Sequence, residues 1–283
     1  MKKNFILAMA MMVGSSAVML ASGLTASQPQ KFATSPNGFM APVWSPDGSK
    51  IAAAGPNYTG IYVFEADGSH ARQLTDAQGA GYKMAWSENG AEVIGRTNVR
   101  EGMRVLHEIK AWNVATGKNR VVAQKARTNA TPGSFKSTNS IYKTMVEQAG
   151  DATATIPALA RFKGQVVINP ALSPDGSKIA FQIPGRGMWL VNADGSGLKE
   201  LGKGSHPVWM PDSKTIIFTV VEDDGNNFTA STVFSMDINS QKADVLVASN
   251  NLIPLTPAVS PDGSKMIFEN AKDASLYIVN LKK

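Results

Sequence analysis

Few side chains in this sequence could carry out chemistry, and those few stand far apart. The chain has 283 residues, no cysteine and three histidines. The lack of cysteine excludes thiol nucleophiles, disulfides, iron–sulfur clusters and cysteine-ligated zinc. His70, His107 and His206 are too widely separated to match a metal-binding motif. The sequence therefore predicts no catalytic residue, no metal site and no cofactor.

Two clusters of charged residues in the sequence have the composition of binding surfaces. Arg96, Arg100 and Arg104 recur at a spacing of four in a predicted long hairpin loop. They fit contact with an acidic partner or an anionic glycan, or else form a solvated basic loop. Asp223 and Asp224 lie in the longest predicted loop. They could bind a cation or a basic partner, or they form a solvated loop tip without a ligand.

Known catalytic motifs are absent from the sequence. It has no G-x-S-x-G nucleophile elbow, no phosphate-binding G-x-x-x-x-G-K-[ST] loop and no H-E-x-x-H pair. The short loop around Arg186, with a glycine on each side, does not match a dinucleotide fingerprint. These absences favour a non-enzymatic binding role over catalysis.

An internal repeat indicates which elements must position the charged residues. Three segments share the pattern P-x-x-S-P-D-G-S-K and two more carry weaker copies: residues 42–52, 170–180, 257–267, 84–90 and 207–214. The copies recur at multiples of about 43 residues, with one copy missing near position 131. The segment T-P-G-S-F-K at residues 131–136 lies there, so the sequence predicts six units.

Each unit has the composition of four short strands. Asp-Gly pairs such as Asp47-Gly48 supply the positive φ that tight hairpin turns need, and the flanking runs are rich in β-branched and aromatic residues. Residues 141–146 are assigned to a strand of the degenerate third unit. Four strands per unit is typical of a propeller blade. We therefore predict an all-β, six-bladed β-propeller of four-stranded blades over residues 27–283.

Two further features fit a closed ring. Trp44, Trp86 and Trp209 occupy equivalent positions and are expected to pack between blades, with ligand stacking as the alternative. The last unit ends after its third strand, so residues near 30–35 are expected to supply its outer strand. That N-terminal strand would remove an exposed sheet edge.

The propeller geometry also gives one histidine a candidate role. The first strand of each blade lines the central channel of a propeller. His206 precedes Pro207 at the start of such a strand, so its side chain is expected to look toward the channel mouth. A histidine can titrate near neutral pH, which suits ligand binding at that position.

The first thirty residues have the layout of an export signal. A pair of lysines precedes an apolar run at residues 5–20, and small residues at 21–23 and 24–26 offer cleavage sites. The run is shorter than the roughly 20 residues that span a bilayer, which favours a cleaved signal over a retained anchor. We assign residues 1–26 to a signal peptide. The protein is then expected to be periplasmic or otherwise exported, and not an integral membrane protein after cleavage.

The charge balance weakens one class of partner. The formal net charge is +6 and the sequence pI about 9.4. Cleavage of the signal removes two of these positive charges with its lysine pair. The remaining charge is modest, so no nucleic-acid partner is expected.

The repeated W-S-P-D-G-S-K-I-A, followed by I-Y-V-x-x-A-D-G-S and L-T, resembles the TolB-type, WD40-like (PD40) propeller repeat across residues 30–283. TolB-type proteins carry an α/β domain ahead of the propeller, and the repeats here leave no room for one. The resemblance implies a scaffold of the cell envelope that contacts an envelope protein, as in a Tol–Pal-type system. Because related propellers occur in polysaccharide lyases, a lyase acting on acidic sugars is an alternative, as is a small-ligand or metal sensor using the central channel.

Partner binding is expected on the propeller face that carries the loops between second and third strands and the connections between blades, because such loops vary most. Aromatic and charged residues on those loops are typical of interfaces. The partner is expected to be an envelope protein, with an acidic glycan as the alternative. The candidate partner-binding residues are Tyr58, Tyr82, Arg96, Arg100, Arg104, Arg186, His206, Asp223 and Asp224.

Overall fold

The structure is a computed structural model that describes residues 22–126 and 137–283. The first two strands come from the N-terminal segment: β1 (Thr25–Ala26) and β2 (Gln30–Ala33). Blade 1 contains β3 (Met40–Trp44), β4 (Lys50–Ala54), β5 (Ile61–Glu65) and β6 (Arg72–Thr75). Blade 2 contains β7 (Ala85–Trp86), β8 (Glu92–Glu101), β9 (Arg104–Asn113) and β10 (Asn119–Ala126).

Three further blades follow a helical segment. Blade 3 contains β11 (Ile168–Leu172), β12 (Lys178–Ile183), β13 (Gly187–Asn192) and β14 (Lys199–Gly202). Blade 4 contains β15 (Ser205–Trp209), β16 (Thr215–Asp223), β17 (Phe228–Asp237) and β18 (Ala243–Ala248). Blade 5 contains β19 (Pro254–Val259), β20 (Lys265–Asn270) and β21 (Ser275–Lys282). Within the blades, successive strands pair antiparallel in chain order.

The predicted blade count of six is wrong, because the described residues form five blades. Residues 141–146, predicted as a strand, lie instead in α1 (Ser140–Glu147). The side chain of Asn139 caps this helix by accepting a hydrogen bond from the Tyr142 N–H at 2.8 Å. Ile141 and Met145 stand four residues apart, which places them on one helix face. The expected degenerate copy at residues 131–136 lies outside the described residues.

The helical segment, residues 140–162, packs against blade 3. It continues from α1 through α2 (Ala152–Thr155) to a 3-10 turn (Pro157–Phe162). Met145 and Phe162 are buried in one core cluster with Phe181 of blade 3. The Phe162 ring meets the Trp189 ring edge to face, with 4.7 Å between centroids. The segment therefore stands in the chain where a sixth blade was expected, between blades 2 and 3.

The tryptophans of the repeat join neighbouring blades through one recurring hydrogen bond. Each indole N–H donates to the inner-strand carbonyl of the preceding blade: Trp44 to Ala258 (3.1 Å), Trp86 to Val43 (3.2 Å) and Trp209 to Ala171 (2.9 Å). The expected packing between blades is therefore present. The equivalent position holds Leu172 in blade 3 and Val259 in blade 5.

The Asp-Gly turns are built alike around the ring. Asp47 accepts hydrogen bonds from the Ser45 hydroxyl (2.6 Å) and the Ser49 N–H (3.0 Å), while Gly48 has a φ of 71°. The bond from Ser45 is the main reason that the pKa of Asp47 falls to about 2. Asp175 and Asp262 make the same contacts, and the pKa of each also falls to about 2. These aspartates are turn residues, as expected.

The N-terminal segment closes the last blade, as the sequence predicted. Both β1 and β2 pair antiparallel with β21, through Thr25↔Lys282 and Gln30↔Ile278. The two short strands form one interrupted outer strand, which covers the edge of blade 5. The edge strand begins at Thr25, earlier than the predicted position near residue 30.

Two faces of the ring are distinguished below. The turn face carries the turns between first and second strands, at residues 45–49, 87–91, 173–177, 210–214 and 260–264. The mouth face carries the links between second and third strands, at residues 55–60, 102–103, 184–186, 224–227 and 271–274. Within the described part of the chain, every helix is too short or too polar to span a membrane.

Candidate functional site

A cavity of about 400 Å³ opens at the centre of the ring. Its wall combines the starts of all five inner strands with α1, so the helix lies beside the channel with the five blades. In an antiparallel blade, the first strand starts on the side where the second strand ends, which is the mouth face. The cavity is lined by the starts of the first strands, so it opens at the mouth face. The wall is largely apolar and includes Pro42, Pro170, Pro207, Pro257, Tyr142 and Val146.

Five non-glycine residues with left-handed backbone conformation line this cavity. They are Ala41 (φ 50°), Lys83 (φ 49°), Asn169 (φ 50°), His206 (φ 52°) and Thr256 (φ 45°). The strand register shifts beside all of them except Lys83. Such bulges re-aim a side chain and are common beside functional sites. Sequence reasoning missed this ring, although four of the five residues precede a proline at the same place in the repeat.

His206 is the predicted site residue that the structure places in the cavity wall. Burial lowers the pKa of its imidazole, which keeps the ring neutral near pH 7. Its Nδ1 atom is buried without a hydrogen-bond partner among the described residues. A neutral imidazole with one unpartnered nitrogen can bind a polar group of an incoming ligand.

A buried carboxyl group lies beside the cavity, between blades 5 and 1. Glu269 is 7% exposed and accepts a hydrogen bond from the Ala41 N–H at 2.6 Å. Burial raises the pKa of Glu269, and the hydrogen bond from Ala41 opposes that effect. Since Ala41 is one of the five left-handed residues, Glu269 helps to hold the cavity wall in place.

Three predicted residues converge near the mouth. The rings of Tyr58 and Tyr82 meet edge to face at 5.2 Å, and the Arg96 guanidinium lies over the Tyr82 ring at 4.3 Å. Burial lowers the pKa of Arg96, whose Nε atom is buried with no partner in the described structure. Burial raises the pKa of Tyr58, and the nearby charge of Glu269 raises it further. This cation–aromatic cluster is preorganised by packing from blades 1 and 2.

Two hairpins extend well beyond the other blades at the mouth face. The basic arm is the β8–β9 hairpin, residues 92–113, with two ten-residue strands. The acidic arm is the β16–β17 hairpin, residues 215–237, with strands of nine and ten residues. The matching strands of blade 1 have five residues each. At about 3.3 Å per residue, each arm projects roughly 15 Å farther.

The arm tips carry opposite charges and exposed apolar side chains. Arg100 and Arg104 flank the tip of the basic arm, where Met103 is 104% exposed. Asp223 and Asp224 lie at the tip of the acidic arm, which also exposes half of Phe228. Around the ring, blades 1 and 5 separate the arms on one side, and the helical segment and blade 3 separate them on the other. The arms therefore stand on opposite sides of the channel mouth.

The remaining predicted residue, Arg186, lies in a separate cleft of about 720 Å³ between blades 3 and 4. Asp223 reaches the same cleft, which also contains Glu200 and Lys203. The nine predicted residues thus fall into neighbouring groups on or near the mouth face rather than into one site. His107 bonds Asn98 (3.0 Å) through its Nδ1 atom on the basic arm. Among residues 22–126 and 137–283, no three acidic or histidine side chains cluster as metal ligands would.

Comparison with known proteins found no matching family model and no matching curated protein. Family membership therefore stays a prediction from the repeat. Among solved structures, the chain is similar to TolB from Acinetobacter baumannii, with 15% identity over 90% of this chain and a TM-score of 0.40. The chain spans 57% of the length of that protein.

Two further similar structures are oligogalacturonate lyases. One, in complex with manganese, has 18% identity, a TM-score of 0.44 and coverage of 90% of this chain and 75% of its own. The other, from Vibrio parahaemolyticus, has 12% identity, a TM-score of 0.43 and coverage of 91% and 97%. Likeness at this level does not extend to function.

Proposed function

We propose that this chain is an exported, non-enzymatic binding module of the cell envelope, and that its mouth face binds a protein partner. One observation carries the proposal. A largely apolar cavity opens between two arms that present opposite charges and exposed apolar tips. An apolar centre within a charged rim is the usual anatomy of a protein–protein interface.

The two parts of this surface have different tasks. Apolar side chains of the partner enter the cavity, where contact with prolines and Tyr142 excludes water and supplies most of the binding free energy. The arm charges remain solvated, so they mainly steer the approach and fix the orientation of the partner. A partner with separate acidic and basic patches matches the basic and acidic arms respectively.

The export part of the proposal rests on the layout of the N-terminal sequence. A lysine pair, an apolar run and small residues precede the first strand. The periplasm, or another compartment reached by export, is therefore the proposed location. The repeat resemblance, which implies a role like that of an envelope scaffold, agrees with this location.

Site-specific photo-crosslinking tests the binding face. A photoreactive residue replaces Met103 or Phe228 at the arm tips, and Asp67, which is exposed on the turn face, serves as the matched control. Cells carrying the Met103 and Phe228 variants are expected to give a discrete protein adduct in the envelope fraction. Adducts from Asp67 alone, or none from either arm, would contradict the proposal.

The cavity itself favours a second candidate, a small ligand held in the channel. Its volume of about 400 Å³ lies within the range of small-molecule sites. The buried, unpartnered Nδ1 of His206 offers a polar contact in a largely apolar wall. His206→Ala would then weaken ligand binding, whereas charge reversal on the basic arm would leave it unchanged. The opposite pattern favours the protein partner.

A further inference from the structure

Residues 22–26 belong to the folded ring, although the sequence assigned them to the signal peptide. Leu24 is 2% exposed and packs in one core cluster with residues of blades 4 and 5, including Leu246 and Val279. β1 pairs with β21, and the Ser27 N–H donates to the Asn280 carbonyl at 2.9 Å. Removing this segment would delete half of the outer strand of blade 5, uncover that part of β21 and leave a void between two blades.

Ser22 is bound to blade 4 through both its backbone and its side chain. Its backbone N–H donates to Asp244 Oδ2 at 2.6 Å, and its hydroxyl donates to the same oxygen at 2.9 Å. The hydroxyl also lies 2.7 Å from the Ser235 hydroxyl. These bonds tie the start of the ordered segment to β17 and β18 of blade 4.

We infer that the export signal is cleaved between Ala21 and Ser22, and that the new α-ammonium group of Ser22 forms an ion pair with Asp244. The inference rests on the export part of the proposed function. Ala21 provides the small residue directly before the cut, and Met19 stands at the other position of the A-x-A-like pattern. Leu24, β1 and the Ser22 contacts all remain in the mature chain.

The cleavage is an ordinary hydrolysis by an export endopeptidase before the chain folds. Water adds to the carbonyl carbon of Ala21 and the bond to the Ser22 nitrogen breaks. Ala21 leaves as a carboxylate, and the Ser22 nitrogen takes up protons to become an ammonium. The ordinary pKa of an α-amino group is about 7.7–8.0, so most of it is charged at pH 7. A carboxylate beside it favours that charged form further.

Other cleavage positions would discard these contacts. A cut after Gly23 removes Ser22 and its bonds to Asp244 and Ser235. A cut after Ala26 also removes Leu24 from the core and the whole of β1. Both would leave Asp244 without the Ser22 nitrogen.

The first test is the N-terminal sequence and intact mass of the full-length chain recovered from the envelope fraction. The chain is expected to begin at Ser22. A chain that begins at Leu24 or Ser27, or that retains Met1, would overturn the inference. Partner binding at the mouth face is measured separately by arm crosslinking, and β1 lies on the outer edge of blade 5. A failure here therefore leaves the binding proposal standing, and the reverse also holds.

The second test measures the ion pair. The chain that begins at Ser22 is compared with its Asp244→Asn variant, each with a free and with an acetylated N-terminus. Asp244→Asn is expected to lower the melting temperature of the free form by about 2–4 °C and to have a smaller effect after acetylation. An equal effect in both forms would overturn the ion pair. Asp151→Asn, at an exposed position without a side-chain cap bond, is the matched control and should change neither form.

Discussion

The turn face and the mouth face are built from one sequence repeat, but the repeated residues recur among the blades only on the turn face. On the turn face, Asp47, Asp175 and Asp262 make the same hydrogen bonds in three blades. On the mouth face, the second strands of the blades differ from one another. The position compared lies three residues after the one that pairs with the repeat tryptophan or its equivalent. It holds Ala54, Arg96, Gln182, Thr219 and Glu269 in blades 1 to 5.

This difference separates the residues that build the ring from those that give it a task. A turn needs the same φ and the same hydrogen bonds in every blade, so its residues recur. The mouth face does not need the same side chains in every blade, because its strands are held together by backbone pairing. Each blade can hold a different side chain near the mouth face, and this face therefore acquires the asymmetry that recognition of one partner requires.

The largest expected effect comes from a repeated residue between blades. Trp86 is 1% exposed and donates to the Val43 carbonyl. Trp86→Ala removes a large buried ring and leaves that carbonyl unpaired, so the free energy of unfolding should fall by about 3–5 kcal/mol. Urea unfolding measures it. A loss below about 1 kcal/mol, similar to that of an exposed control such as Arg104→Ala, would mean that the repeat residues do not carry the stability.

Acid unfolding tests the turn face next. The pKa values of Asp47, Asp175 and Asp262 lie near 2 in the folded chain, below the ordinary value of 3.8. Their contribution is therefore fully present above about pH 4 and disappears as the pH falls toward 2. The triple Asp→Asn variant should be less stable at pH 7 and should lose less stability over that pH window. Parallel acid-unfolding curves would contradict this account of the turns.

Glu269 on the mouth side should behave in the opposite way. Because burial raises its pKa above 4.5, its charged form is disfavoured in the folded chain. Its unfavourable contribution is absent at low pH and develops as the pH rises through and above 4.5. Glu269→Gln keeps an acceptor for the Ala41 N–H without a charge. The variant should melt slightly higher than the natural chain at pH 7, and the difference should vanish near pH 4. A lower melting temperature at pH 7 would instead show that the carboxylate stabilises the ring.

The sequence predicted the parts of this fold that local chemistry determines. Asp-Gly turns and the tryptophan of the repeat act within a few residues or at one fixed contact, so their spacing identified the propeller and its closure. The helical segment was missed because the repeat period was extended over a region that lacks the repeat. Asn139, the i to i+4 pair Ile141 and Met145, and Pro157 were the local signals that favour helix there.

The candidate site was less predictable because it depends on contacts between distant residues. Tyr58, Tyr82 and Arg96 were chosen as loop residues, and only the packing of blade 1 on blade 2 brings them together. The loop prediction for the three arginines is wrong, because Arg96 and Arg100 lie in β8 and Arg104 begins β9. Glu269 carries no signal of burial in its own strand. Its role appears only when blade 5 meets Ala41 at the closure of the ring. The lengths of the two arms are visible in the sequence, but their opposition across the channel follows from the ring order.

Charge reversal on the basic arm should have the smallest effect on stability and tests the central claim most directly. Arg100→Glu with Arg104→Glu changes two exposed residues, so the free energy of unfolding should change by no more than about 0.5 kcal/mol. The measurement is the yield of the envelope adduct formed through a photoreactive residue at position 103. Lys118→Glu, exposed on the turn side of the same blade, is the matched control. The account predicts that the double reversal reduces the adduct at least tenfold while Lys118→Glu leaves it unchanged. An adduct that survives the double reversal, or falls equally with Lys118→Glu, would contradict binding at the mouth face.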